Sequence, residues 1–111
     1  MTGKGKKTYK TGDIYEGDWD DGKWEGKGII YFKNGDKYDG EFKNDKREGK
    51  GIYYYKKGHI YIGDLKNDKK EGKGVMYMKD GDREMGNYSN GKKIGKHVKL
   101  HADGSITSNI Y

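Results

Sequence analysis

The sequence predicts an all-β protein, a single-layer, elongated antiparallel meander of consecutive β-hairpins. Three observations carry that prediction. Tyr15, Tyr38 and Tyr61 recur every 23 residues, each followed two residues later by Gly17, Gly40 or Gly63. In that register all 20 glycines fall at the third, eighth, twelfth, fourteenth or twenty-first place of the unit, which low complexity would not produce. Between them lie segments that alternate an aromatic residue or Gly with a charge, the period of a strand buried on one side. Composition narrows the architecture further. A chain of 111 residues with 30% hydrophobic residues is too poor in them for a thick two-layer core, yet 14% aromatics are too many for a solvated tail.

The elements follow in order as one domain spanning 1–111. A half repeat at 3–14 precedes repeats 15–37, 38–60 and 61–83, a divergent capping repeat at 84–106 and a tail at 107–111. Each repeat reads strand, turn, strand, turn. The first strand is typified by Tyr15-Glu16-Gly17-Asp18-Trp19, and Asp21-Gly22 and Asn90-Gly91 after it tolerate positive φ at both turn positions. Asn44-Asp45 and Asn67-Asp68 hold the same place less ideally. The second strand, Gly26 to Phe32 and its equivalents from Gly49 and Gly72, is β-branched and aromatic enough to exclude a helix. Asn34-Gly35, Asp80-Gly81 and Asp103-Gly104 close the units, with Thr11-Gly12 and Lys57-Gly58 as weaker versions.

Glycine inside a strand normally weakens it, so its recurrence needs a cause. A missing side chain makes room for a flat ring, either the first-place Tyr or the fifth-place Trp19, Phe42, Leu65 and Tyr88. A single layer of rings on glycine backbone then substitutes for a core, and stacked units bury one another's edges. Several units are needed together.

The motif Tyr15-x-Gly17-x-Trp19 with Gly26-Lys27-Gly28-Ile29 recurs at Tyr38 to Phe42 with Gly49 to Ile52, and at Tyr61 to Leu65 with Gly72 to Val75. In this pattern the chain resembles the MORN-repeat family. The resemblance implies a sheet of consecutive hairpins in an intracellular protein of cytoskeletal, ciliary or membrane-junction assemblies, together with a proposed membrane association. The fourth unit departs, with Glu84 for Tyr, Ile94 for Glu and His97 for Gly, and reads as a terminal cap.

Catalytic patterns are poor. His97 and His101 are roughly 13 Å apart along an extended strand and cannot share a metal, and with no cysteine there is no thiolate site. The Gly-Lys-Gly triplets lack the sequence and the helix of a phosphate loop. No enzyme, metal or cofactor is inferred. The absence of cysteine fits a reducing, intracellular compartment, and the resemblance implies a cytoplasmic, cytoskeletal, ciliary or peripheral-membrane location. The start of the chain is basic with no apolar run after it, which argues against a secretory signal.

Two surfaces remain. In the second strands one row holds Ile29, Tyr31, Ile52, Tyr54, Val75 and Tyr77; the other holds Phe32, Tyr53, Tyr55, Met76 and Met78. One ring layer can cover only one row, so the other is expected to meet an apolar protein segment, helical or extended. The first row is the expected partner face and the second the alternative. Around the first turns, Lys43, Lys46, Arg47, Lys66, Lys69 and Lys70 form a basic edge suited to anionic phospholipid, phosphoinositide included. A net charge of +6 offset by 18 acidic residues is a weak footprint for nucleic acid. Edge strands would also permit end-to-end self-association. The expected function is a non-enzymatic scaffold for protein–protein interaction, with a lipid adaptor as the alternative.

Overall fold

The computed structural model describes residues 2–111. Ten strands follow one another: β1 (Gly3–Thr8), β2 (Ile14–Asp20), β3 (Lys23–Tyr31), β4 (Lys37–Lys43), β5 (Lys46–Tyr54), β6 (Ile60–Lys66), β7 (Lys69–Tyr77), β8 (Arg83–Ser89), β9 (Lys92–Leu100) and β10 (Ile106–Ile110). Each pairs antiparallel with its sequence neighbours in one sheet that runs β1 to β10 without a crossover. The result is an elongated slab of 49 × 23 × 19 Å, the expected meander of hairpins.

One face carries the core. The first-place tyrosines Tyr15, Tyr38 and Tyr61 are completely buried, and each lies over two cross-strand glycines. Gly17 pairs with Gly28, and a Cβ built on Gly28 would stand 2.6 Å from Tyr15 Cζ. Only glycine leaves that room. The hydroxyls then donate to the carbonyls of Asp18 (2.7 Å), Glu41 (3.1 Å) and Asp64 (3.0 Å), so the buried polar end is satisfied. Burial, ahead of the charge of Asp18, pushes the Tyr15 hydroxyl up to about 12. The first-place ring is therefore the one that rests on glycine. The fifth-place rings instead meet it edge-on, Trp19 at 5.0 Å and Phe42 at 5.2 Å from Tyr15, and Phe42 at 5.1 Å from Tyr38.

The tenth place covers the tyrosine from above. Trp24 stacks on Tyr15 with centroids 4.9 Å apart and planes 8° from parallel. Arg47 takes that place in the next unit, 5.8 Å from Tyr38 and 5.6 Å from Tyr53, and is fixed by its contact with Asp68 at 3.3 Å. Lys70 takes it in the third, 5.1 Å from Tyr61 and 5.5 Å from Tyr88. These cations belong to the ring layer.

The Gly-Lys-Gly triplets divide their work. The register shifts between Gly17 and Trp19, where β3 carries extra residues, and Gly26 there has φ +87°. Gly49, Gly72 and Gly95 repeat that left-handed conformation at the same place. The fourth-place carboxylates close the irregularity: Asp18 accepts from Lys27 N–H (3.2 Å) and Glu41 from Lys50 N–H (2.7 Å). The backbone N–H of Lys27 and the Lys4 side chain hold Asp18 below its ordinary carboxylate value. The first glycine of each triplet thus makes a bulge and the second seats a ring.

Turns stitch neighbouring units together. Asn44-Asp45 and Asn67-Asp68 adopt positive φ at both positions, like Asp21-Gly22. The cost at Asp45 and Asp68 is offset because their carboxylates accept, at 2.8 Å, from Trp24 N–H and Arg47 N–H of the preceding unit. At the opposite edge Asp13, Asp36, His59 and Asp82 accept in the same way from Lys33, Lys56, Lys79 and Ala102. His59 is thereby a rung of this ladder.

The fourth unit rebuilds the tyrosine from two residues. His97, at the place where a glycine stands in other units, lays its ring on Gly86, and its Nε2 meets the Asn87 carbonyl at 2.8 Å, as the tyrosine hydroxyls meet theirs. Glu84, at the tyrosine place, contacts His97 Nδ1 at 2.9 Å and Lys93 Nζ at 2.8 Å. Burial works against the Glu84 carboxylate, but Lys93 and then His97 outweigh it and hold its pKa below the ordinary value. Residues 107–111, expected outside the repeat, instead continue it. Ile106–Ile110 pair with β9, and Tyr111 exchanges two backbone hydrogen bonds with Gly95. Its ring meets His97 edge-on at 5.2 Å. Tyr111 stands 23 residues after Tyr88 and occupies the fifth place of a further unit.

Three outcomes follow for stability in denaturant titrations. Gly28→Ala drives a methyl into the Tyr15 ring and costs about 1–3 kcal/mol. Glu84→Tyr and His97→Gly each destabilise alone, whereas the double variant recovers most of the loss, so a double-mutant cycle gives a coupling of about 1 kcal/mol or more. Arg47→Ala costs about 1–2 kcal/mol through lost ring contact, while Lys46→Ala stays within about 0.5 kcal/mol.

Candidate functional site

The face opposite the rings has no layer of its own. Strand alternation places Ile29, Tyr31, Ile52, Tyr54, Val75 and Tyr77 there, as the sequence row predicted. The alternative row goes to the other side. Phe32, Tyr53, Tyr55 and Met76 pack against the buried rings, and Met78 is half-buried at the end of the same row. Tyr53 also donates to Asp36 at 2.7 Å; burial, then this bond, pushes its hydroxyl pKa up. That row is core, which corrects its standing as a second partner face.

Cross-strand pairing orders the uncovered face into three rows along the long axis of the slab. The central row runs Glu16, Ile29, Asp39, Ile52, Ile62, Val75, Met85, Val98. It is charged at every other position up to Asp39 and unbroken apolar from Ile52 onward. Ile62 and Met85 are each 42% exposed, large values for apolar side chains inside a sheet. The second row runs Ile14, Tyr31, Lys37, Tyr54, Ile60, Tyr77, Arg83, Leu100. Lys37 Nζ lies between two tyrosines, 5.8 Å from the Tyr31 ring and 5.0 Å from that of Tyr54, and Arg83 is 5.8 Å from Tyr77. The third row is ionic, with Lys4–Asp18 at 3.2 Å and Lys50–Asp64 at 3.1 Å, whereas Lys73 faces Asn87 and Lys96 faces Ile110.

Shallow grooves lie between the rows, where the paired glycines leave the backbone bare. One of about 480 Å³ is bordered by Asp39, Ile52 and Ile62. A second, of about 550 Å³, is bordered by Ile62, Val75, Met85 and Val98. The sequence reading missed Ile62 and Met85 because it considered apolar residues only in the second strand of each hairpin, and Val98 because it followed that row only through the third repeat. The signal was present at the second place of the unit, which changes from Glu16 and Asp39 to Ile62 and Met85.

The expected basic edge divides. Arg47 and Lys70 point into the ring layer, as described above. Lys43 pairs with Lys46 and Lys66 with Lys69 across the turns, one residue beyond the ring-face pairs, and all four are exposed. Among the described residues no cluster of His, Cys, Asp or Glu is placed to hold a metal ion. His101 contacts Thr107 at 2.8 Å, on the same strand pair that carries Tyr111.

The geometry offers apolar contact, tyrosine hydroxyls and flanking cations on an extended surface. Similarity to known proteins agrees with the architecture. The chain matches a family model described as the MORN repeat at residues 1–14, 15–37, 38–60 and 61–83. No curated protein sequence matches it. Among solved structures it is similar to the TCP domain of SAS-4 (dCPAP) of Drosophila melanogaster, solved in complex with a proline-rich motif of Ana2 (dSTIL). The two share a TM-score of 0.53 at 14% identity, over 98% of this chain and 72% of that one, a likeness of fold. With the repeat model covering most of its length and every hairpin built on the same glycine register, this chain belongs to the MORN-repeat family.

Proposed function

We propose that this chain is a non-enzymatic scaffold that binds a protein partner through the uncovered face. The observation that carries the reading is the unbroken apolar row from Ile52 to Val98, in which Ile62 and Met85 are exposed and the others half-buried beside Tyr54 and Tyr77, while the opposite face is filled by the chain's own rings. Rows of this kind on a soluble sheet are stabilised when a partner removes them from water. The SAS-4 TCP domain, similar in fold, was solved in complex with a proline-rich motif of Ana2, which supports a protein partner in general terms. The family resemblance supplies the setting, a cytoskeletal, ciliary or membrane-associated assembly inside the cell. The competing reading, binding to anionic phospholipid, has lost Arg47 and Lys70 to the ring layer and rests on Lys43, Lys46, Lys66 and Lys69.

Two variants separate these readings. In affinity purification from the source cell, partner retention by the wild-type chain is lost in Ile62→Asp/Met85→Asp, and it persists in Lys46→Gln/Lys69→Gln. Flotation with phosphoinositide vesicles gives the complementary measurement, and no binding is expected at moderate salt. Salt-sensitive flotation abolished by the lysine variant, with unchanged retention by the apolar-face variant, would establish the lipid reading instead. Ile62 and Met85 are exposed, so the folded sheet survives the aspartates, as circular dichroism will register.

A further inference from the structure

We infer that the uncovered face is built for a proline-rich segment in the polyproline II conformation, lying along the slab across the strands, with acidic residues on its outer edge. The inference rests on the protein-binding reading above and names the class of partner.

The first argument is one of length. Tyr31, Tyr54 and Tyr77 stand in one row two strands apart, so their spacing is about 9.6 Å. A polyproline II helix repeats every three residues at 3.1 Å each, about 9.3 Å per turn. Over the span from Tyr31 to Tyr77 the mismatch accumulates to only about 0.6 Å. An α-helix comes closest at seven residues per tyrosine, about 10.5 Å, and over the same span drifts by about 1.8 Å while also rotating away. A β-strand presents one side every second residue, about 6.6 Å; its third repeat, about 19.8 Å, reaches Tyr77, but its first two, about 6.6 and 13.2 Å, leave nothing opposite Tyr54 at about 9.6 Å.

The second argument is chemical. Among the described residues, the hydroxyls of Tyr31, Tyr54 and Tyr77 make no hydrogen bond to the chain, whereas those of Tyr15, Tyr38, Tyr61 and Tyr53 each donate to an acceptor. A polyproline II segment has no internal hydrogen bonds and offers its carbonyls outward, while prolines bring no N–H that would need a partner on an apolar surface. Tyrosine rings flanked by open slots and carrying free donors suit that combination. The aliphatic row from Ile52 to Val98 lies alongside and takes a second edge of the three-sided helix.

The third argument is charge. Over the apolar half the flanking side chains are Lys73, Arg83 and Lys96, while Asp64 is already paired with Lys50. A segment with acidic residues on its third edge meets these cations. A basic one would be repelled.

The test uses the full chain and three synthetic peptides of equal length and charge, about twelve residues each. One repeats Pro-Ile-Glu; one has the same composition with the prolines at irregular spacing; the third is an amphipathic helix former. By calorimetry and amide chemical shifts the regular peptide is expected to bind about tenfold more tightly than the irregular one, with shifts centred on β5 to β9. Tyr54→Phe and Tyr77→Phe, which keep the ring, each weaken it about fivefold. Equal binding of both proline peptides, preference for the helix former, or indifference to the hydroxyls overturns the inference. If no peptide binds while Ile62→Asp/Met85→Asp still abolishes partner retention, the polyproline inference falls and the protein-binding face stands. If that variant changes neither measurement, both fall.

Discussion

The contact on which this protein depends is a buried tyrosine ring lying on two bare glycine backbones. It sets the thickness of the molecule. A ring flat on the sheet fills only a few ångströms of depth, so burial is complete for Tyr15, Tyr38 and Tyr61 without a second layer of structure. It also dictates sequence at a distance, because a Cβ on either paired glycine would enter the ring. The same hydroxyl must reach an acceptor, and the carbonyl it finds sits at the register shift that the preceding glycine of the triplet makes possible. Ring, seat, bulge and carbonyl therefore form one unit, and the 23-residue period is the distance at which that unit recurs.

The fourth repeat shows which part of the unit is physically required. Tyrosine and one of its glycines are both gone there, yet a flat ring still covers Gly86 and still addresses the backbone carbonyl three residues after the first place. The imidazole of His97 comes from the opposite strand, and Glu84 with Lys93 fills the polar space left behind. What has to persist is a planar group on glycine with a polar tip, supported edge-on by fifth-place rings, here Tyr88 and Tyr111. Tyrosine is one solution to that requirement.

The sheet and its hairpins were legible because glycine and the turn dipeptides are conformational signals with few alternative meanings. Three things were not. Which aromatic rests on glycine depends on side-chain direction within a bulged strand, and periodicity alone leaves Tyr15 and Trp19 equivalent. Arg47 and Lys70 read as part of a basic edge because each follows a lysine, yet their parity matches Trp24, the stacked ring of the first unit. Place in the repeat, more than residue type, would have assigned them to the ring layer. The uncovered face was half legible: the second-strand row was found, but a sheet surface is composed across strands, and Ile62 and Met85 become its neighbours only once register is known.

Freedom from the ring constraint is what lets the uncovered face differ along the chain. The first, third and fourteenth places are fixed by packing and scarcely vary between units, whereas the second place is free and changes from Glu16 and Asp39 to Ile62 and Met85. The row opposite, Ile29, Ile52, Val75 and Val98, stays aliphatic throughout. The apolar surface therefore becomes continuous only when the second place joins it, in the half of the slab that follows Ile52. In the half that precedes it, Glu16 and Asp39 break the row. A periodic sheet with one constrained face and one unconstrained face thus acquires a polarity without departing from its period, and the proposed site lies where the free positions have been spent on apolar contact.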